Sequence, residues 1–183
     1  MPIILETERL ILRTWMLNDL RDFFEIYGDK EVWRFVDTKG VFKDENAARR
    51  SLQKGIAYQV EHGFCHWAVV EKSRGRVIGA CGFNLFEGGP QLELVYHFAR
   101  LFWGRGYATE AASASLRYAF ERLEAPAVVA SIDKQNAASR RVLEKIGFVR
   151  DDNSHLNKTD EDFYIYVRPD TEFPLSELPR ADQ

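Results

Sequence analysis

The stretch Trp103-Gly104-Arg105-Gly106-Tyr107-Ala108-Thr109 joins a strand-like segment to an alanine-rich segment with helical character. The predicted helix runs from about Thr109 to Leu123. The first four N–H groups of a helix have no partner within it, and the helix dipole adds about half a positive charge there. Small residues at 104, 106 and 108 let a phosphate approach these N–H groups, and Arg105 adds positive charge. The stretch therefore predicts a pyrophosphate-binding turn, and a plain connection between strand and helix is the alternative.

Two common nucleotide-binding patterns do not fit this turn. The P-loop requires a Lys-Ser or Lys-Thr pair, and none follows the glycines. The dinucleotide fingerprint requires a third glycine where this chain has Thr109, and it lies in a unit of parallel strands. Here the preceding strands are joined by short loops that contain glycine, which indicates antiparallel hairpins. The turn therefore serves a different phosphate ligand, or none.

The periodicity of apolar residues predicts the elements on both sides of the turn. Before it we predict a strand at Glu8 to Trp15, a helix at Leu17 to Gly28, a loop at Glu31 to Lys43, a helix from the N-cap Asp44 to Gly63, and strands at Phe64 to Glu71, Val77 to Phe86 and Gln91 to Ala99. After it we predict a strand at Ala127 to Ile132, a helix at Ala137 to Ile146 and a last strand at Asp162 to Val167.

Composition narrows the class of protein. The chain has 183 residues and a formal net charge of −3, which predicts one domain over residues 1–168 with an irregular tail at 169–183, and no bulk basic surface for nucleic acid. No apolar run reaches membrane-spanning length and the start has no basic signal region, so we expect a cytoplasmic protein without a membrane partner. Two cysteines make no disulfide framework, and the histidines show no metal-ligand spacing.

Three segments together carry a family resemblance. Trp103 to Ala111 closely resembles the acetyl-CoA pyrophosphate loop of the GNAT N-acetyltransferases, with Gly106 and Ala108 at its two small positions. Asn136-Ala137-Ala138-Ser139 and Leu143-Glu144-Lys145-Ile146-Gly147-Phe148 resemble the second signature of that family. Thr7-Glu8-Arg9-Leu10-Ile11-Leu12-Arg13 resembles the opening strand of the branch that includes the ribosomal-protein N-terminal acetyltransferases.

The resemblance implies a single-domain acyl-CoA N-acyltransferase (GNAT) fold of the α/β class. Its central sheet is mixed, largely antiparallel and flanked by helices, and the strand at Gln91 to Ala99 splays from a parallel neighbour at Ala127 to Ile132 to form the cofactor cleft. Acetyl-CoA is the implied co-substrate, with no metal. The implied cofactor-binding residues are Phe98, Trp103, Gly104, Arg105, Gly106, Tyr107, Ala108, Thr109 and Asn136. Trp103 departs from the family, which usually has Gln or Arg at that position.

The resemblance also implies catalysis by direct attack of an amine, without a covalent enzyme intermediate. Glu93 is the expected general base, and a solvated or ion-paired glutamate is the alternative. Related enzymes often carry a tyrosine acid where this chain has Leu143, so Ser139 becomes the candidate acid, with a serine that merely suits a helix start as the alternative. Trp33 and Phe35 fall where the family lines its acceptor pocket, and packing beneath a loop would explain them equally well.

The expected function is transfer of the acetyl group from acetyl-CoA to a primary amine, with the N-terminal α-amine of a protein or peptide as first choice. A small-molecule amine is one alternative, for example an amino acid, a polyamine or an amino-sugar drug. A non-catalytic acyl-CoA-binding sensor is another. A monomer and a homodimer both fit, and an exposed last strand would offer a place for two chains to pair.

Overall fold

The computed structural model describes residues 2–36, 40–152 and 160–169. One mixed sheet forms the centre of the fold, and its strands follow the order β1-β2-β3-β4-β5-β6-β8-β7. The strands are β1 (Ile3–Glu6), β2 (Leu10–Arg13), β3 (His66–Glu71), β4 (Arg76–Leu85), β5 (Leu92–Phe98), β6 (Ala127–Asp133), β7 (Val149–Arg150) and β8 (Glu161–Val167). The helices are α1 (Leu20–Tyr27), α2 (Lys30–Trp33), α3 (Glu45–His62), α4 (Tyr107–Glu121) and α5 (Ala137–Lys145).

Every predicted helix and strand is present, with ends that differ by a few residues. The boundary signals act as expected on α3: the Asp44 side chain accepts a hydrogen bond from the Ala47 N–H, and Gly63 ends the helix with a left-handed φ of 77°. The helix predicted from Leu17 opens as a 3₁₀ turn over Leu17–Asp19 and continues as α1. Local patterning therefore predicts the elements of this fold well.

Among the strands and α-helices, three short elements are absent from the prediction. β1 and β7 have four and two residues, and they form strands only because they pair with β2 and β8. The expected loop from Glu31 contains most of α2, which Asp29 caps by accepting a hydrogen bond from the Glu31 N–H. The expectation of an exposed last strand is wrong, because β8 lies between β6 and β7 in the sheet. Of the predicted tail, residues 170–183 lie outside the described part of the chain.

Helices cover both faces of the sheet. The Cys81 thiol contacts the Ser115 hydroxyl of α4 at 3.4 Å, whereas His97, which lies on the opposite face, contacts Tyr27 of α1. Both cysteines are buried, which fits small core residues, and burial raises the pKa of each thiol to about 12. The core thus continues through the sheet from α1 and α3 on one face to α4 on the other.

The parallel pair at the middle of the sheet is very short. β4 pairs antiparallel with the full length of β5, from Leu85 opposite Leu92 to Gly79 opposite Phe98. β5 and β6 are parallel, as expected, but they pair only at Leu92 with Val128 and at the next residue of each strand. Beyond this point the two strands separate. A cleft therefore opens at the carboxyl end of β5, next to the start of α4.

Candidate active site

The glycine turn presents unpaired N–H groups at the start of α4. Gly104 and Gly106 have φ values of 72° and 79°, which glycine adopts without steric cost. Gly106 is the N-cap, no side chain caps the helix, and the first helical hydrogen bond runs from the Glu110 N–H to the Gly106 carbonyl at 3.0 Å. The N–H groups of Tyr107, Ala108 and Thr109 therefore have no acceptor within the helix.

A cavity of about 890 Å³ extends from this turn along the cleft to α1 and α3. It brings together nearly all the residues that the sequence singles out: Trp33, Phe35, Glu93, Phe98, Trp103, Gly104, Gly106, Tyr107, Ala108, Thr109, Asn136 and Ser139. Arg105 is the exception. Its guanidinium lies 5.7 Å from the centroid of the Phe102 ring, and its side chain does not line the cavity.

The edge of β5 faces the cleft with its backbone. Ala99 donates to the Ile78 carbonyl of β4, so the alternate residues Leu94, Tyr96 and Phe98 direct their N–H and C=O groups away from β4. β6 has already diverged at these positions. The Phe98 carbonyl accepts a hydrogen bond from the indole N–H of Trp103 at 2.6 Å. Trp103 stands where the family named by the resemblance usually has Gln or Arg. Its indole thus occupies the Phe98 carbonyl at the end of this edge.

Tyr107 contributes its backbone rather than its hydroxyl to the cavity. The phenol donates to the Glu71 carboxylate at the end of β3 and is buried. The Arg9 guanidinium lies 4.5 Å from the centroid of the same ring. The side chain is therefore occupied by structural contacts on the outer side of the turn.

Two hydroxyl groups meet where β5 faces α5. The hydroxyl oxygens of Tyr96 and Ser139 lie 2.6 Å apart, and the Tyr96 hydroxyl also lies 3.2 Å from the Ser139 carbonyl. Asn136 is the N-cap of α5, and its side-chain oxygen accepts from the Ser139 N–H at 3.0 Å. Sequence reasoning missed Tyr96 as a site residue. Strand alternation places Tyr96 on the face of Leu94 and Phe98, and only the position of α5 shows its partner.

Glu93 lies on β5 at the point where the two strands begin to separate. It is half-buried and lines the cavity, opposite Asn84 of β4 and Val129 of β6. Strand alternation places its side chain on the face of Val95 and His97, under α1. The carboxylate and the Tyr96–Ser139 pair therefore approach the same cleft from the two faces of the sheet.

Aromatic rings form the other end of the cavity. Trp33 donates its indole N–H to the Tyr27 carbonyl at 2.6 Å, and its ring contacts those of Tyr27, Phe42 and His97, with centroids 5.7–6.2 Å apart. Phe35 also lines the cavity, with the Arg34 guanidinium 5.1 Å from its ring centroid. We call Tyr27, Trp33, Phe42 and His97 the aromatic wall. The family resemblance indicates Trp33 and Phe35 as pocket residues but not Tyr27 or Phe42.

His97 of the aromatic wall and the neighbouring His66 are both uncharged at neutral pH. Burial, reinforced by the neighbouring His66, lowers the pKa of His97 to about 3, and its Nδ1 lies 3.4 Å from the Tyr27 hydroxyl. Burial lowers the pKa of His66 to about 4, against an opposing hydrogen bond with Asn84. A ligand at this wall therefore meets neutral imidazoles rather than cations.

Within residues 2–36, 40–152 and 160–169, no three His, Cys, Asp or Glu side chains come together in a group that could hold a metal ion. Over the same ranges, no helix has both the length and the apolar character to cross a membrane.

Comparison with known proteins gives consistent matches over most of the chain. A family model for the acetyltransferase (GNAT) domain matches residues 9–149. The uncharacterized protein YkkB of Bacillus subtilis is 33% identical over 158 residues, covering 85% of this chain and 87% of YkkB. The uncharacterized N-acetyltransferase p20 of Bacillus licheniformis is 30% identical over 148 residues, covering 80% and 83% of the two chains.

Solved structures show the same fold. An acetyltransferase from Agrobacterium tumefaciens has a TM-score of 0.77 with 28% identity, covering 92% of this chain and 95% of its own. The ribosomal L7/L12 alpha-N-protein acetyltransferase RimL, in complex with coenzyme A, has a TM-score of 0.76 over 91% of this chain and 98% of its own. RimL is only 18% identical, so this second likeness concerns the fold alone.

Proposed function

Because the chain belongs to the GNAT acetyltransferase family, we propose that it transfers the acetyl group of acetyl-CoA to a primary amine by direct attack. The observation that carries this proposal is the continuity of one cavity. It joins the uncapped start of α4 to Glu93 and to the Tyr96–Ser139 pair. The cavity thus contains an anion-binding helix start, a candidate base and candidate proton donors.

The residues present fit acetyl-CoA. The N–H groups of Tyr107, Ala108 and Thr109 would hold its pyrophosphate, because they lack acceptors within α4 and lie beside glycines without side chains. The backbone edge of β5 at Leu94 and Tyr96 would pair with the amide groups of its pantetheine arm. Asn136 lines the same cleft, although its side-chain oxygen already caps α5.

Acetyl-CoA supplies an activated acetyl group, and its transfer forms one C–N bond and breaks one C–S bond. Relative to the ammonium form, the nitrogen loses two protons and the sulfur gains one. The first proton goes to Glu93 and is released to solvent, and the second restores the group that protonates the sulfur. Glu93 accepts a proton from the ammonium form of the acceptor, because only the neutral amine is a nucleophile. The carboxylate lies in the cleft where the strands part, so it reaches the amine directly or through one water molecule.

The Tyr96–Ser139 pair provides the proton for the departing sulfur. Burial raises the pKa of Tyr96 above its ordinary value, with a smaller opposing effect from the Ser139 hydrogen bond, so the phenol remains protonated and can donate. Ser139, whose N–H is held by Asn136, keeps the phenol in position at 2.6 Å. This pair takes the place of the tyrosine that related enzymes carry where this chain has the buried Leu143.

The acceptor we propose first is the N-terminal α-amine of a protein or peptide. The resemblance of Thr7 to Arg13 to the ribosomal-protein branch supports this choice. The aromatic wall and the neutral histidines favour an apolar group next to the amine. A small-molecule amine with an apolar body would fit the aromatic wall equally well and is the second candidate acceptor.

The first test measures the melting temperature with excess acetyl-CoA, and with ATP and NAD as controls. Ligand at about 100 times its Kd adds about 2.7 kcal/mol of stability, or about 5–10 °C for a domain of this size. Release of free thiol then reports turnover with peptides that begin with Ala, Ser, Phe or Asp, and with phenethylamine and putrescine. No shift with acetyl-CoA contradicts the proposal, and a shift without turnover of any amine supports the sensor.

A further inference from the structure

The turn between β1 and β2 holds the start of α4. The Thr7 hydroxyl donates to Glu110 Oε1 at 2.5 Å, and the Arg9 backbone N–H donates to the same oxygen at 2.9 Å. Arg9 Nε donates to Glu110 Oε2 at 2.6 Å, and Arg9 Nη1 donates to the Arg105 carbonyl at 3.0 Å. We call Thr7, Arg9 and Glu110 the clamp. It connects the β1–β2 turn to the Arg105 carbonyl and to Glu110 of α4, on the outer side of the glycine turn.

The clamp lies behind the proposed phosphate site rather than in it. A Cβ atom built on Gly106 would lie 3.5 Å from Arg9 Nη2, so the guanidinium lies directly against the backbone of the turn. Neither Arg9 nor Glu110 lines the cavity. An effect of Arg9 on the phosphates would therefore act through the turn and through Glu110.

Glu110 creates an electrostatic conflict at this position. A carboxylate in the first turn stabilises a helix, because it opposes the positive end of the dipole. The same charge repels a pyrophosphate that binds to the same helix end. Hydrogen bonds from Thr7 and Arg9 outweigh burial and lower the pKa of Glu110, so the carboxylate is charged at neutral pH. The Glu110 carboxylate is therefore charged, and it forms an ion pair with the Arg9 guanidinium.

We propose that Arg9 is a positioning residue for the acetyl-CoA phosphates: it neutralises Glu110 and fixes the Arg105 carbonyl, so that the N–H groups at the start of α4 remain available to an anion. This inference rests on the proposed binding of acetyl-CoA. It assigns a function to part of the Thr7-to-Arg13 segment, which the mechanism itself does not use.

The test separates charge neutralisation from direct contact and from folding. Dissociation constants are measured for CoA and for pantetheine, which lacks the phosphates, with the wild-type protein and with Arg9→Met, Glu110→Gln and the double variant. Arg76→Met is the matched control. Arg76 is similarly exposed, at 46% against 42% for the side chain of Arg9, and it pairs with Asp22 and Glu25 away from the cavity.

We expect Arg9→Met to weaken CoA binding about tenfold while the Kd for pantetheine changes less than about twofold, because only the phosphates respond to an unpaired Glu110. The double variant should recover most of the lost affinity, since the repelling charge is gone. Arg76→Met should match the wild-type protein for both ligands.

Three results with the variants overturn the inference alone. If Arg9→Met binds CoA normally, Arg9 does not position the site. If the double variant binds CoA as weakly as Arg9→Met, the loss comes from a direct phosphate contact or from damage to the turn. If pantetheine binding falls as much as CoA binding, the whole cleft is disturbed. A wild-type protein that does not bind CoA overturns the proposed function together with the inference.

Discussion

The hydroxyl oxygens of Tyr96 and Ser139 lie 2.6 Å apart, although 43 residues separate them in the chain. One comes from the middle of β5 and the other from the first turn of α5. Their contact joins β5 to α5, which border the cleft beyond the point where β5 and β6 stop pairing. A proton can therefore pass between them without leaving the site.

Replacing Tyr96 with Phe removes one oxygen and keeps the ring. We expect kcat to fall about 10²-fold, within the usual range for a proton donor, while the KM for acetyl-CoA changes little. Steady-state kinetics with Ser139→Ala and the double variant test whether the pair acts as a unit. The double variant should be no slower than the slower single variant. Full activity in Tyr96→Phe would exclude the phenol as the donor.

Replacing Glu93 with Gln keeps the shape of the side chain and removes the base. Turnover should fall by about 10²–10⁴-fold, while the thermal shift with acetyl-CoA persists. Glu144→Gln, at an exposed position on α5, serves as the control and should retain wild-type activity. Equal rates in Glu93→Gln and the wild-type protein would show that another group or solvent removes the proton.

Gly106 and Gly75 form a matched pair of left-handed glycines, with φ values of 79° and 62°. Replacing either with Ala should destabilise the fold by about 1–2 kcal/mol, because a Cβ atom disfavours this conformation. That cost corresponds to a drop of about 2–8 °C in melting temperature. Only Gly106→Ala should also weaken CoA binding, since Gly75 lies in the turn between β3 and β4. Unchanged CoA affinity in Gly106→Ala would remove this turn from the phosphate site.

His97 makes stability depend on pH below neutrality. Its pKa is about 3 when folded and about 6.5 when unfolded, so the unfolded chain binds the extra proton between these values. Stability therefore rises with pH through this window and falls on acidification from pH 6.5 to 5, by on the order of 1 kcal/mol from this residue. Urea unfolding of His97→Asn should show a smaller decline than the wild-type protein.

His62→Asn is the control for this measurement. His62 stacks on Tyr58 at the end of α3, with ring centroids 4.0 Å apart, and takes no part in the pair with His66. Its variant should decline with pH as the wild-type protein does. A decline in His97→Asn as steep as in the wild-type protein would mean that His97 is charged in the fold.

The sequence predicts those features of the site that depend on neighbours along the chain. The glycine turn follows from local spacing, and the face on which Glu93 lies follows from strand alternation. The Tyr96–Ser139 pair does not, because it depends on how closely α5 approaches β5. The clamp is also long-range, since Arg9 and Glu110 are 101 positions apart. β1 and β7 were missed because strands of four and two residues carry almost no periodicity.

The two residue pairs between β5 and β6 also have a consequence for motion. The sheet consists of a five-stranded part, β1 to β5, and a three-stranded part, β6, β8 and β7, with a minimal backbone ladder between them. Amide hydrogens of Leu94, Tyr96 and Phe98 should exchange with deuterium faster than those of Val95 and His97, which face β4. A molecule that pairs with this edge would act as an added strand, and it would slow exchange on β5 at alternate residues only.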